Sequence, residues 1–217
     1  MKIKIISVLL IVIGIFVICY PKLSEVYHDY QQQKLVKEWK NSLEIIHNGE
    51  DYSEVINEIE FTDTTAIAHV EDEPNAEDPK PDFSSYENME GILEIDKIDL
   101  LLPILRGATK DNMKTTVASI LDTGKAGEVG NYGIAGHRNR TFGRNFNRLD
   151  ELEIGDMIEV DSGDAQFEYT VTEKFRVKPE EVWVLEANNK DKEITLVTCD
   201  PMVNPTHRLI IKGEIVD

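Results

Sequence analysis

Residues 194–201 read Ile194-Thr195-Leu196-Val197-Thr198-Cys199-Asp200-Pro201. The first five are β-branched or aliphatic, and the Asp-Pro pair stops them, so the stretch reads as a strand that delivers a cysteine to its own end. A cysteine at a strand end beside a Pro-bounded loop is poorly placed to be a core residue. Downstream, Arg208 to Val216 reads as the last strand. There Leu209, Ile211 and Ile215 share one face and alternation places Arg208 on the other.

Working outward, the same short-strand texture extends back to Tyr86. Ile92, Ile95, Ile98, Leu100 to Leu102, Ile104 and Leu105 form apolar runs interrupted by Asp and Pro103. Met113 to Leu121 fits a short helix ending near Gly124. Gly130-Asn131-Tyr132-Gly133 reads as a turn or bulge before Ile134. Ile154 to Val160 leads through Ser162-Gly163-Asp164 into Phe167, Tyr169 and Val171, a hairpin with period-two alternation. Val182 to Leu185 reads as a further strand. At least seven short strands with little helix predict an all-β fold, a small barrel or sandwich, over 86–217.

The amino-terminal part has a different texture. Lys2 and Lys4 precede an uninterrupted apolar run of 16 residues, Ile5 to Tyr20. As a helix it spans roughly 24 Å, somewhat short of the ~30 Å hydrocarbon core of a bilayer. Snorkelling lysines and local thinning can close that gap. Cys19-Tyr20-Pro21-Lys22 offers no small-residue cleavage site, which favours an uncleaved anchor over a removed signal peptide. The flanking lysines predict a cytoplasmic amino terminus and an exterior remainder. Leu23, Tyr27, Tyr30, Val36, Trp39, Leu43 and Ile46 recur at helical spacing, so 22–47 reads as an amphipathic, membrane-proximal helix. The expected organisation is a transmembrane anchor (1–21), a helical stalk and acidic linker (22–85) and a strand-rich domain (86–217).

The 217 residues hold 23 basic and 41 acidic side chains, a net charge of −18. That balance argues against binding a nucleic-acid backbone. Thirteen of the eighteen excess charges fall within 50–90, where Pro74, Pro79 and Pro81 also break regular structure, so about 50–85 reads as solvated linker. The two cysteines exclude a disulfide scaffold and a C-x-x-C zinc site.

Three positions can carry chemistry: Cys199, His137 after Gly133-Ile134-Ala135-Gly136, and Arg208. Each has an ordinary explanation when taken singly: a buried thiol, a capping histidine, a solvated arginine. Together, a Cys and a His at the ends of separate strands can converge on one barrel rim, where an Arg can stabilise an oxyanion.

The pattern Thr195-Leu196-Val197-Thr198-Cys199 resembles the TLxTC signature of sortases, the cysteine transpeptidases of Gram-positive bacteria. Ala135-Gly136-His137 is similar to the segment carrying their catalytic histidine, and Arg208, nine residues after the cysteine, to their essential arginine. The resemblance covers about 86–217 and extends to the amino-terminal anchor. It implies a closed sortase β-barrel of about eight strands with short helices. It also implies Cys199 as nucleophile, His137 as acid/base and Arg208 as oxyanion or substrate stabiliser.

The expected partners are surface proteins with a Leu-Pro-X-Thr-Gly or -Ala sorting signal and a peptidoglycan-precursor amine. No cofactor or metal is implied. The small size and single apolar segment fit classes A and D, and Cys199-Asp200-Pro201 with the compact domain looks more like class D. A hydrolytic cysteine protease and a membrane-tethered β-barrel binding module are the competing readings.

Overall fold

The computed structural model describes residues 2–56 and 88–215. Most of the stretch read as acidic linker, together with the chain ends, lies outside them.

Eight strands close into one barrel: β1 (Met89–Ile95), β2 (Leu100–Leu105), β3 (Val117–Ser119), β4 (Gly130–Ala135), β5 (Met157–Asp161), β6 (Gln166–Val177), β7 (Lys192–Asp200) and β8 (His207–Glu214). Around the barrel they run β1-β2-β3-β4-β7-β8-β6-β5. Two neighbouring pairs, β2–β3 and β4–β7, are parallel and the rest are antiparallel. Closure leaves no sheet edge exposed to pair with another chain. Inward-facing Leu93, Ile104, Ile134, Tyr169, Leu196 and Ile211 fill the interior. A 3₁₀ segment, Phe146–Glu151, lays Phe146 and Leu149 over one end of that core, with Leu152 following it.

Three local expectations are corrected. The helix expected over Met113–Leu121 is instead α2 (Lys110–Thr115) followed directly by β3. Thr109 caps α2 through its hydroxyl, which accepts from the Asn112 amide at 3.2 Å. The β-branched run Thr115-Thr116-Val117 then favours extended backbone, and β2 and β4 pair with Val117 and Ala118. The glycine-rich stretch 130–133 is not a turn but the first part of β4, buried throughout. Finally, Val182–Leu185 is a 3₁₀ turn, not a strand. It lies over the outside of the barrel, where Val184 packs with Val177 and Ile210.

The apolar run and the stalk form one helix, α1 (Lys2–Ile56), which continues through Pro21 and into the stretch read as linker. It is long and apolar enough to cross a membrane. Its later turns lie along the barrel. Trp39 is buried against Met89 and Ile92, and its indole Nε1 donates to Asp161 at 3.4 Å.

Candidate active site

Strand alternation decides where Cys199 points. Ile194 and Leu196 face the barrel interior, so Thr195, Val197 and Cys199 face outward. Val197 packs into the outer cluster with Val177, Val184 and Ile210, beneath the 3₁₀ cover. Cys199 comes one outward step later, past that cover, and its free thiol is half-buried.

On β8, Leu209 and Ile211 point inward, so Arg208 and Ile210 point outward. Cys199 and Arg208 are direct partners in the β7–β8 ladder. Antiparallel partners stand about 4.5–5.5 Å apart and project to the same face, so the Cys199 and Arg208 side chains leave the barrel side by side. The Arg208 guanidinium donates to the His207 carbonyl at 3.2 Å. Among the described residues no carboxylate pairs with it, so its other N–H groups are free to meet a ligand.

His137 arrives from the other side. Parallel strand β4 pairs Ala135 with Val197, and the Gly136 amide donates to the Val197 carbonyl at 3.1 Å. Thr198 Oγ1 donates to the Gly136 carbonyl at 2.8 Å, which locks the two strand ends together. Carrying that register on by two residues sets His137 beside Cys199. Ile134 and Gly136 face inward, so His137 faces outward, as Cys199 does. Gly136 must be small, because a Cβ would come within 2.7 Å of the Phe146 ring and 2.8 Å of Val117. Partial burial of the His137 ring lowers its pKa from the ordinary 6.5, because desolvation disfavours the imidazolium.

The outer face of β4 continues away from His137 as the floor of a groove. A Cβ on Gly133 would meet Leu185 at 3.2 Å and Thr123 at 3.1 Å, so glycine lets the groove walls close onto the strand. The groove, about 420 Å³, has apolar walls from Ile120 and Leu121 on one side and Val182 and Leu185 on the other. Buried Asn131 holds it together. Its Nδ2 donates to the carbonyls of Val184 at 3.1 Å and Glu186 at 3.3 Å, while its Oδ1 accepts from Thr195 Oγ1 at 2.7 Å.

A second feature sits behind the strand ends. Arg138 follows His137, Asp200 follows Cys199, and the two form a nearly buried ion pair. Arg176 also bonds Asp200, and Arg138 reaches Asp150 at 2.6 Å. Burial alone would raise the Asp200 carboxyl. The hydrogen bonds and charges of Arg176 and Arg138 outweigh that effect and hold it below the usual carboxylate range. Neither Asn131 nor this network was anticipated. The signal for the network was present: opposite charges follow two candidate residues on strands expected to converge.

The arrangement is a half-buried cysteine beside an arginine on the adjoining strand and a histidine at the neighbouring strand end, with an apolar groove along the outer face of β4. The family model for the sortase domain matches residues 93–216. The chain belongs to the sortase family. Its relatives include sortase A of Bacillus anthracis, 29% identical over 98% of this chain and 94% of that one. Sortase A of Listeria monocytogenes is 34% identical over 58% of this sortase and 55% of the relative. Among solved structures, a Clostridium perfringens sortase D5 transpeptidase shares 31% identity at a TM-score of 0.56, covering 60% of this sortase and 82% of that chain. The Listeria sortase A structure matches at 0.57 and 29%, over 60% and 89%. The chain is therefore a cysteine transpeptidase on a closed eight-stranded barrel.

Proposed function

We propose that this sortase is held in the cell membrane by α1, amino terminus inside and barrel outside, and that it cleaves a Leu-Pro-X-Thr-(Ala/Gly) sorting signal after the threonine. The surface protein is then transferred to a peptidoglycan-precursor amine. The observation that carries the reading is the pairing of Cys199 with Arg208 on adjoining strands, with His137 at the neighbouring strand end.

The Cys199 thiolate attacks the threonine carbonyl carbon, and Arg208 donates to the oxyanion that forms. An unperturbed cysteine is only about 3% thiolate at pH 7, so a neighbouring cation that favours the thiolate raises the reactive fraction. As the carbon–nitrogen bond breaks, His137 gives its proton to the leaving amine, and a thioester remains on Cys199. The incoming amine attacks that thioester and loses a proton to His137 as the Cys199 thiolate departs. Both tetrahedral species place their negative oxygen where the same guanidinium can meet it, so one preorganised donor serves both halves of the reaction. The apolar groove along the outer face of β4 suits the Leu-Pro portion of the signal.

The likeness to the sortase D5 and the Asp200-Pro201 ending of β7 support a class D assignment, with class A as the alternative. Incubating the full-length chain in nanodiscs with both peptides and an amine acceptor tests the proposal. Mass spectrometry should find an acyl adduct on Cys199 and an amide product. Preference for Ala at the fifth position supports class D, and preference for Gly supports class A. Cleavage that survives Cys199→Ala overturns the mechanism.

A further inference from the structure

Past its apolar run, α1 has two unlike faces. Toward the barrel it presents polar side chains bonded to the rim that carries His137. Glu25 accepts from Thr141 Oγ1, Asp29 pairs with Arg144 at 2.8 Å, and Gln32 donates to Asn145 at 3.3 Å. Away from the barrel, Leu23, Val26, Tyr27 and Tyr30 form a stripe at i, i+3, i+4, i+7 spacing, each between 56% and 65% exposed. The outward face then becomes polar at Gln33, Lys34 and Lys37. Nothing in the described structure covers the stripe.

The stripe supplies what the apolar run lacks. Ile5 to Tyr20 is short for a bilayer core, but continuing along the outward face to Tyr30 gives about 38 Å of apolar helix edge, close to the ~40–45 Å of core plus headgroups. Tyrosines at the end of a span are interfacial anchors. Over Ser24 to Tyr30, then, one side of the helix suits headgroups while the other side touches the barrel.

Two contacts along this single helix orient the barrel. Near the apolar end, Pro21, Ser24, Glu25 and His28 share a cleft with His137. Farther along, Trp39 is seated on Asp161, at the β5–β6 hairpin on the opposite end of the barrel. The rim with the strand ends therefore faces the apolar end of α1, and the hairpin faces away. On that rim the loop between Arg140 and Arg144 carries Phe142, which is 76% exposed, with the Arg148 guanidinium 4.9 Å from its ring centre. An accessible aromatic among arginines is the composition of a headgroup-level contact.

We propose that the rim bearing His137 and Cys199 rests at the headgroup level of the bilayer that holds α1. The outward stripe and the Phe142 loop are its lipid-facing surface, and the partner is the phospholipid interface itself. This rests on the reading of α1 as membrane-spanning. A sorting signal still tethered to its own membrane segment would then reach the groove by lateral diffusion.

Phe16→Trp, Tyr30→Trp and Phe142→Trp, made singly in the full-length chain and reconstituted into vesicles, test the placement. The vesicles contain phospholipid brominated near the top of the acyl chain, and each emission spectrum is compared with that of the parent. All three added signals should be blue-shifted and largely lost to bromine. Quenching of Phe16→Trp and Tyr30→Trp with solvent-like emission from Phe142→Trp would overturn the proposal, because the rim would stand clear of the lipid. Solvent-like emission from both rim-level positions would overturn it too. An unquenched Phe16→Trp would overturn the spanning reading and the placement together.

Discussion

Cys199 and Arg208 face each other across the last rungs of the β7–β8 ladder, nine positions apart in sequence and on the same outward face. Such a pair is set by the register of a hairpin, so the two residues stay side by side as long as the strands stay paired. If Arg208 stabilises the oxyanion, Arg208→Ala should lower kcat/KM by about 100- to 1,000-fold, the usual loss for one oxyanion donor. Arg208→Lys should restore only part, because a point charge does not reproduce the planar fork. Steady-state kinetics of peptide cleavage, with circular dichroism showing the barrel intact, checks this.

His137 should titrate below the ordinary histidine value of 6.5, since burial of its ring disfavours the charged form. The sign for stability follows from the depressed folded value. The contribution is complete above the unfolded pKa and is lost as pH falls from there through the folded pKa. NMR titration of the ring proton should give the lowered midpoint. Urea unfolding from pH 7 down to pH 5 should fall less steeply for His137→Gln than for the parent.

The ion pair behind the strand ends should matter to both stability and rate. Arg138→Met strands a nearly buried Asp200, with only the Arg176 contact remaining. Removing one partner of a buried pair typically costs about 3–5 kcal/mol, and exposure of Arg176 places the expected loss toward the lower end. Asp200→Asn should cost less, because the amide can still accept a hydrogen bond and Arg138 keeps Asp150. Urea midpoints separate the two. If the pair also positions Cys199 and His137, kcat should fall in Asp200→Asn with little change in KM.

Asn131→Ala removes three hydrogen bonds at once and leaves two loop carbonyls and the Thr195 hydroxyl without their partner. One buried unsatisfied group costs about 1–3 kcal/mol, and these three share one site, so a loss near the top of that range is expected. The 3₁₀ cover over the groove should loosen. Measured with the sorting peptide, the variant should show a raised KM with kcat changed much less.

The hairpin of β5 and β6 and the final strand were legible because one face is core and the other is not, which writes period two into the residues. Strand β4 was not, because it is buried on both faces and lies between other strands, so Gly130 to Gly133 shows no alternation. Val117 to Ser119 is too short to outweigh the helical residues before it. Val182 to Leu185 is apolar for the same reason a strand would be, but it covers the barrel from outside. The three candidate residues were found through motif and spacing. Asn131 was missed because its partners lie 53 to 64 positions away, a distance no local pattern spans, whereas the Arg138–Asp200 pair was signalled only by the opposite charges that follow the two candidate residues.

The crossing from β4 to β7 has a consequence for how the enzyme comes into being. Thr198 and Gly136, which lock the two strand ends, are 62 positions apart, whereas the β7–β8 hairpin closes across a short loop. Local hairpins form in microseconds, and parallel pairs wait for the larger entropy loss of a long closure. The thiol and its arginine therefore meet early on the folding path, and the histidine joins them only when the cylinder shuts. On that path a chain with only its β7–β8 hairpin closed holds a cysteine and an arginine side by side without the histidine, so competence for acyl transfer arrives with the completed barrel.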